Sequence, residues 1–147
     1  MYRNSEGYAD PTVGAALSHM GKVAAMERRE YRRKKAMVMA RPKVYVVSPF
    51  AGDIENNVRQ ARRYCRFAAS KNTVPVASHL LYPQFLRDND PRERELGLLF
   101  GLALLKSCRE VWCFGTEKSK GMQQELEEAA RLGKTIRYFS TEMEEIE

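Results

Sequence analysis

Apolar and polar residues alternate in blocks from residue 43 onward, and the period of the apolar positions changes from block to block. Short runs of β-branched and aromatic residues predict strands at Val44–Val47, Thr73–Ala77, Glu110–Phe114 and Thr135–Phe139. Longer segments with apolar residues at helical spacing predict helices at Ile54–Ser70, Arg92–Ser107 and Ser119–Leu132. Strands that alternate with helices predict an α/β fold with a doubly wound parallel sheet flanked by helices, of the Rossmann or flavodoxin-like type.

Single residues refine these boundaries. Asp53 is a predicted N-cap, and Gly133 follows the last helix as a C-terminal cap. Pro75 lies inside the second predicted strand, where it removes a backbone donor and weakens the prediction. The polar segment 79–91 predicts a long loop, and the acidic segment 142–147 predicts a frayed end.

The first 42 residues predict a partly helical N-terminal arm, separate from an α/β domain at residues 43–147. Glycine, aspartate and proline residues predict irregular backbone up to residue 21, with one short helical turn at Val13–Met20. Residues 22–40 contain helix formers and neither glycine nor proline, so they predict a helix. Its apolar stripe is weak, and we expect it to need a partner surface.

The positive charge of the chain is concentrated in this arm. Residues 1–43 hold ten Lys and Arg against four Asp and Glu, whereas residues 44–147 hold fifteen of each. The basic run at residues 28–35 is either a solvated helix face or a surface for nucleic acid, which is the weaker alternative because no aromatic platform accompanies the run.

The cysteines and the hydropathy pattern indicate the cellular setting. The chain has three cysteines, an odd number without the spacing of a metal site, so we expect reduced thiols. The N-terminus has no apolar signal segment, and no run approaches the roughly 18 apolar residues of a membrane span. We therefore expect a cytoplasmic protein with no membrane partner.

Three loops should meet at the carboxyl edge of the predicted sheet, where α/β proteins bind ligands. They are Ser48–Gly52, Ala77–Tyr82 and Gly115–Gly121. The sequence contains no G-x-G-x-x-G and no G-x-x-x-x-G-K-[ST], which argues against a standard dinucleotide fold or a P-loop nucleotidase. We expect neither a cofactor nor a metal.

The candidate residues follow from this placement. The predicted ligand-binding residues are Ser48, Pro49, Phe50, Gly52, Asn57, Gly115, Ser119, Gly121 and Met122. The predicted catalytic residues are Glu125, His79, Asp88 and Asp90. Carboxylates act as nucleophiles or bases, and histidine titrates near neutrality. The alternatives stay open: an ordinary turn for the first loop, capping for Ser119 and the aspartates, and a backbone-bonded structural role for His79.

Four motifs carry a resemblance to a known family. They are K-V-Y-V-V-S-P-F-A-G-D (43–53), S-H-L-L-Y-P-Q-F-L (78–86), C-R-E-V-W-C-F-G (108–115) and S-K-G-M-Q-Q-E-L-E-E-A (119–129). With them, residues 43–140 resemble the nucleoside 2-deoxyribosyltransferase-like superfamily, and within it an uncharacterised bacterial and phage branch of unknown function. The last motif is the most specific, because it places a Glu four residues after the glycine of S-x-G.

The resemblance implies an activity. In these transferases and the related nucleotide glycosidases the matching Glu is the nucleophile, and the S-x-G loop holds the 5′ end of the substrate. Carried over, Glu125 attacks a nucleoside or nucleotide at C1′, and Ser119 with Gly121 holds its 5′ end. The resemblance also implies a homo-oligomer.

One departure from the family's pattern opens an alternative. Active members carry an aspartate in the helix before the third strand, and here Gly101 or a neighbouring apolar residue stands at that place. Either the loop supplies an acid, or the protein is a non-catalytic nucleotide-binding module or sensor.

Overall fold

The chain divides into two compact units, residues 1–40 and 41–147. A computed structural model describes residues 3, 6, 7 and 11–147 of the chain. Helix α1 spans Pro11–Met39 in the first unit. The predicted helix at 22–40 is confirmed, but the single short turn before it is wrong. Proline is favoured at a helix start and an isolated glycine costs only about 1 kcal/mol, so neither interrupts the helix. The irregular backbone predicted for residues 1–10 lies largely outside the described residues.

The second unit is an α/β domain. Its elements are β1 (Lys43–Val47), α2 (Ile54–Ser70), β2 (Val74–Val76), α3 (Pro91–Lys106), β3 (Glu110–Phe114), α4 (Lys120–Arg131), β4 (Thr135–Phe139) and β5 (Glu145–Ile146). The strands form one sheet in the order β2-β1-β3-β4-β5. The predicted N-cap at Asp53 is confirmed, since its carboxylate accepts from the Asn56 N–H. Gly133 adopts the left-handed backbone expected after a helix.

The sheet is mixed, which corrects the prediction of a purely parallel sheet. Strands β1 to β4 pair in parallel, but β5 is antiparallel to β4. The turn between them is held by Ser140, whose hydroxyl accepts from the N–H groups of Glu142 and Glu144. Arg137 then donates twice to the carboxylate of Glu145. The acidic end was predicted to be frayed, and these bonds to neighbouring residues order it instead.

Alternate residues of β1 enter two separate cores, because successive side chains of a strand point to opposite faces. Val44 and Val46 pack against α2 together with Trp112 and Phe114 of β3. The residues that pack against α3 and α4 on the other face include Tyr45, Val47, Val111 and Cys113. Helices therefore cover both faces of the sheet, and Tyr45 faces the side on which α3 and α4 lie.

The connection from β2 to α3 is less irregular than predicted. It begins with two short 3₁₀ turns, Ser78–Leu80 and Tyr82–Gln84. Pro75 is tolerated in β2 because β2 is an edge strand, where an absent N–H leaves no partner unpaired.

All three cysteines are free: Cys108 and Cys113 are buried and Cys65 is half-buried. No helix formed by the described residues combines the length and hydrophobicity needed to cross a membrane.

The packing of α3 on the sheet can be tested at Leu105, which is fully buried. Leu105→Ala should lower the free energy of unfolding by about 2–5 kcal/mol, because it removes apolar contacts and leaves a cavity. Ile54→Ala is the matched control: Ile54 is 45% exposed on α2, and we expect a loss below about 1 kcal/mol. Urea denaturation measures both. Equal losses would show that α3 does not direct Leu105 into the core.

Candidate functional site

A pocket of about 230 Å³ lies beside the carboxyl end of β1. Four segments of the second unit line it: Phe50–Ala51 after β1, the loop 78–88 after β2, residues 93–102 of α3, and residues 119–125 at the N-terminal half of α4. The wall formed by the loop and α3 is largely apolar, with Leu86, Leu98 and Leu102. The wall formed by α4 is polar. Pockets that bind small organic molecules commonly combine an apolar wall with a few directed polar groups.

Glu125 is the buried acid of this pocket. It lies on the inner stripe of α4 with Met122, Leu126 and Ala129, and only 7% of its surface is exposed. The Tyr45 hydroxyl donates to Oε1 of Glu125 over 2.6 Å. Oε2 has no hydrogen-bond partner among the described residues. One carboxylate oxygen is therefore fixed, and the other has unused acceptor capacity in a pocket.

Burial dominates the protonation of this carboxyl group. Desolvation raises the pKa of Glu125 to about 7, although the hydrogen bond from Tyr45 opposes the rise. The pKa of Tyr45 is raised as well, first by burial and then by the charge of Glu125. Glu125 is therefore an acid that exchanges its proton near neutral pH while the tyrosine stays protonated.

Tyr45, Ser78 and Gly101 complete the surroundings of Glu125, and no role was predicted for Tyr45 or Ser78. The Tyr45 hydroxyl lies 2.8 Å from the Ser78 Oγ. Because Tyr45 donates to Glu125, it accepts from Ser78. Gly101 packs against this pair, and a Cβ built there would lie 3.2 Å from the Tyr45 hydroxyl. Glycine at 101 therefore allows α3 to approach the hydrogen-bonded chain that holds Glu125.

One signal in the sequence pointed to Tyr45. The strand K-V-Y-V-V is buried from its second residue onward. A buried tyrosine needs a partner for its hydroxyl, and Tyr45 is the polar side chain within the apolar run. The pattern predicts that a partner exists, but it does not identify Glu125, which is 80 residues away in the sequence.

The start of α4 presents donors to the pocket. Ser119, Lys120 and Gly121 line it, and the Ser119 Oγ accepts from the N–H of Met122. Ser119 is thus an N-cap whose own hydroxyl proton remains available. The N–H groups of Lys120 and Gly121 lie in the first turn, where no earlier helical carbonyl can accept them. These groups suit an anionic or hydroxyl-bearing part of a ligand.

His79 lies in the pocket wall and is stacked on Phe50, with ring centroids 5.0 Å apart. Burial lowers the pKa of His79, although a hydrogen bond with the Ser48 backbone and the charge of Asp88 act in the opposite direction. The histidine is therefore mainly neutral at pH 7. Its stacking and its backbone bond fit the structural alternative as well as a contact with ligand.

The two predicted aspartates lie in different places. Asp88 lines the pocket, as does Glu93, whose carboxylate accepts from the Arg87 N–H. Asp90 does not line it and instead caps α3 by accepting from the N–H of Arg92. Asp88 of the loop and Glu93 in the first turn of α3 are therefore the acids placed to approach a ligand, and Asp90 has a capping bond that accounts for it.

Phe50, Ser119 and Gly121 line the pocket, but the other predicted binding residues do not. Those outside the lining are Ser48, Pro49, Gly52, Asn57, Gly115 and Met122. The Asn57 amide donates to the carbonyls of Phe50 and Ala51 and so fixes the loop that does line it. Met122 is a core residue. Ser48 is buried with an unpartnered hydroxyl among the described residues.

Three cations that were not predicted as site residues also line the pocket. They are Arg87, Arg94 and Lys120. None of them forms an ion pair within the described part of the chain. The structure described for residues 11–147 contains no cluster of three His, Cys, Asp or Glu side chains suited to a metal ion. The site as described therefore offers carboxylates, hydroxyls and unpaired cations.

The raised pKa of Glu125 predicts a pH-dependent stability. Because the folded pKa of about 7 exceeds the ordinary value of 4.5, the folded protein binds the proton more tightly, and stability falls as pH rises through this window. Glu125→Gln has no proton to lose there. Between about pH 5 and pH 8 the wild type should lose about 2–3 kcal/mol relative to Glu125→Gln.

Urea denaturation at both pH values provides this measurement. Glu127→Gln is the control, since Glu127 is an exposed neighbour on the same helix, and its difference from wild type should not vary with pH by more than about 0.5 kcal/mol. A constant difference between wild type and Glu125→Gln would contradict the burial of an ionisable carboxyl group.

Comparisons with known proteins agree with this fold. A family model described as "Domain of unknown function (DUF7768)" matches residues 42–139. Solved structures that resemble the chain include the 2-deoxyribosyltransferase of the psychrotolerant bacterium Bacillus psychrosaccharolyticus. The TM-score is 0.53 with 20% sequence identity, over 67% of this chain and 72% of that one. At this identity the likeness shows a common fold. No curated protein matches the sequence significantly.

Proposed function

The chain belongs to the DUF7768 family of domains of unknown function, and from the pocket around Glu125 we propose that it processes nucleosides or nucleotides. It cleaves their N-glycosidic bond with Glu125 as the nucleophile, and the sugar is transferred to water or to a second base. The observation that carries the proposal is Glu125, a buried carboxylate in the pocket lining whose Oε1 is held by Tyr45 and whose Oε2 has no hydrogen-bond partner among the described residues. The structural neighbour is a 2-deoxyribosyltransferase, which supports the same substrate class.

The reaction uses the two oxygens differently. Oε2 of the ionised Glu125 attacks C1′ of the sugar, and the electrons of the C1′–N bond pass to the base. A covalent glycosyl ester forms, which water or a second base then attacks at C1′ from the opposite side, so that the configuration is retained. Tyr45 donates to Oε1 throughout and restricts the rotation of the carboxylate.

The departing base needs a proton in most nucleosides, and the pocket offers two acids for it. Asp88 and Glu93 lie in the wall formed by the loop and α3. In this proposal either one takes the role of the aspartate that active members carry where Gly101 or a neighbouring apolar residue stands here. His79, whose pKa is lowered by burial, also lies in the pocket wall and is a third candidate.

The polar wall supports a phosphorylated substrate. Ser119, the first N–H groups of α4 and the side chain of Lys120 all lie at this wall. Hydrogen bonds to a charged oxygen are about twice as strong as those between neutral groups. We therefore assign Ser119–Gly121 to binding of the 5′ end of the substrate. We expect the site to prefer a 5′-monophosphate over a free 5′-hydroxyl.

One observation favours a second candidate function. Gly101 lines the pocket beside Ser78 and Glu125 and supplies no acid at that position. A nucleotide sensor needs the pocket and the anion-binding loop but no leaving-group acid. The sensor and the enzyme differ in a measurable way, because only the enzyme releases free base.

Base release tests the proposal directly. Incubation with a panel of nucleosides and 5′-monophosphates, followed by chromatographic detection of free base, should identify a substrate for wild type. Glu125→Gln should reduce its turnover by at least about 1,000-fold with affinity within a few-fold, because shape survives and nucleophilicity does not. Glu127→Gln, exposed on the same helix, should keep wild-type turnover. If wild type and both variants bind a nucleotide but none of them releases base, the result would support the sensor and contradict the enzyme.

The pH profile of the same reaction should follow Glu125. The attacking group must be ionised, so kcat/KM should rise with pH and level off above about 7, the pKa of Glu125 in the free protein. A rate that stays flat between about pH 5 and pH 8 would argue that another group acts as nucleophile.

Ser119→Ala tests the assignment of the 5′ end. It removes one donor to the phosphate and the cap of α4, so binding of a 5′-monophosphate should weaken by about 10-fold. Binding of the matching unphosphorylated nucleoside is the internal control and should change less, by about 2-fold. Calorimetric titration measures both, and equal losses would contradict the assignment.

We also propose that the protein is a homo-oligomer associated through α3. Four large apolar residues of this helix are at least 36% exposed: Leu96, Leu98, Leu99 and Phe100. Exposed apolar surface of this kind commonly marks an interface. Sedimentation velocity at about 10 µM protein should detect an oligomer, as expected for an obligate assembly. Leu99→Glu should dissociate it, and a monomeric wild type would contradict the proposal.

A further inference from the structure

Six basic residues of α1 form two rows along the helix. Arg28, Arg32 and Lys35 are spaced i, i+4 and i+7, so they share one face. Lys22, Arg29 and Arg33 are spaced i, i+7 and i+11 and share a second face. At 3.6 residues per turn the two rows lie about 110° apart around the helix. Both rows therefore lie on the same half of the surface of α1.

Between the rows the side chains are small. Ser18, Ala25 and Ala36 fall in this strip, and all three are exposed. A large object can therefore approach the helix backbone closely between two rows of long cationic side chains. All six cations are exposed, and none forms an ion pair in the described part of the chain.

The acids of this segment lie on the other side of α1. Glu27 and Glu30 project about 165° and 135° away from the middle of the basic half by the same spacing. A helix that is merely solvated commonly mixes charges of both signs at i, i+4 on one face. Here one such pair exists, Glu30 with Lys34, whereas the other six cations of residues 22–35 lie in one half of α1 and make that half strongly positive.

We propose that this half of α1 binds duplex DNA by lying in the major groove. The groove is about 12 Å wide and admits an α-helix, and phosphates border it on both sides. The small-residue strip faces the groove floor, while each row reaches the phosphates of one border. The rows extend over about 20 Å, the length of residues 22–35 in a helix. The contacts are to the backbone, so binding is independent of base sequence.

A lipid surface fits the same segment less well. Helices that lie in a membrane interface gather Trp, Phe and Leu on one face. The larger apolar residues of this segment are Val23, Met26 and Tyr31, and none of them is Trp, Phe or Leu.

The experiment uses the full chain and a fluorescent DNA duplex of about 20 base pairs with mixed sequence. Anisotropy at about 50 mM salt should give a dissociation constant between about 1 and 100 µM. The logarithm of the affinity should fall with the logarithm of the salt concentration with a slope of about −5, since six cations release about 0.9 counterion each. Failure to bind at about 100 µM protein overturns the proposal.

Three variants locate the surface. R28Q/R32Q/K35Q removes one row and K22Q/R29Q/R33Q the other, and glutamine preserves helix propensity. Each should halve the salt slope and weaken binding at least about 10-fold. The control is R62Q/R63Q/R66Q, which removes three exposed arginines from α2 and should leave affinity within about 2-fold. An equal loss in the control overturns the assignment to α1.

Two further probes distinguish other occupants. An RNA duplex of the same length should bind at least about 10-fold more weakly, because its major groove is too narrow for a helix. Equal affinity for RNA overturns the groove geometry. The last probe is a vesicle that contains anionic lipid. If wild type binds such vesicles more tightly than it binds DNA, and both row variants lose vesicle binding, the choice of nucleic acid is overturned. None of these measurements depends on base release, so they stand or fall independently of the proposed activity.

Discussion

The hydrogen bond from Tyr45 to Glu125 is the interaction on which the rest of the site depends. It joins the central strand β1 to α4 and holds a carboxylate where water is largely excluded. An unpaired carboxylate at this depth would remain protonated, because burial penalises the charged form. Tyr45 offsets part of that penalty, so the pKa of Glu125 stays near 7 instead of rising further. At neutral pH the group is then partly ionised, as its proposed role of nucleophile requires.

Two neighbouring residues, Ser78 and Gly101, support this hydrogen bond. Ser78 donates to Tyr45, which directs the tyrosine proton to Glu125. Gly101 is adjacent, and any side chain there would approach the Tyr45 hydroxyl. Glycine at this position therefore lets α3 approach the hydrogen-bonded chain. In the proposed reaction the leaving-group acid comes from Asp88 of the loop or from Glu93 in the first turn of α3, both of which line the pocket.

Most of the fold could be predicted from the sequence, because its elements follow from local pattern. β1, α2, β3 and β4 begin and end within a residue of the predicted bounds, since β-branched runs and the Asp53 cap specify them. β5 was missed because two residues have no pattern of their own and are ordered by Arg137 and Ser140. The length of α1 was missed because Gly14 and Gly21 were read as breaks in a helix that tolerates them.

The candidate site was predictable only in part. Glu125, Ser119 and Gly121 came from a motif within one helix, and the structure places all three in the pocket. Tyr45 and Ser78 act through contacts across 80 and 33 residues of chain, which no local spacing encodes. Asn57 and Asp90 are polar residues near the sheet edge, but their side chains hold the backbone of a loop and of a helix. Local pattern does not separate such supporting residues from ligand contacts.

The protonation of Glu125 in the intact protein is the central claim, and carbon NMR of its side-chain carboxyl measures it directly. The Cδ resonance of Glu125, assigned with the Glu125→Gln variant, should titrate at about pH 7 in wild type. In Tyr45→Phe the pKa should be higher, because the hydrogen bond that stabilises the carboxylate is lost while burial remains. A titration of Glu125 at its ordinary value near 4.5, unchanged in Tyr45→Phe, would contradict the account.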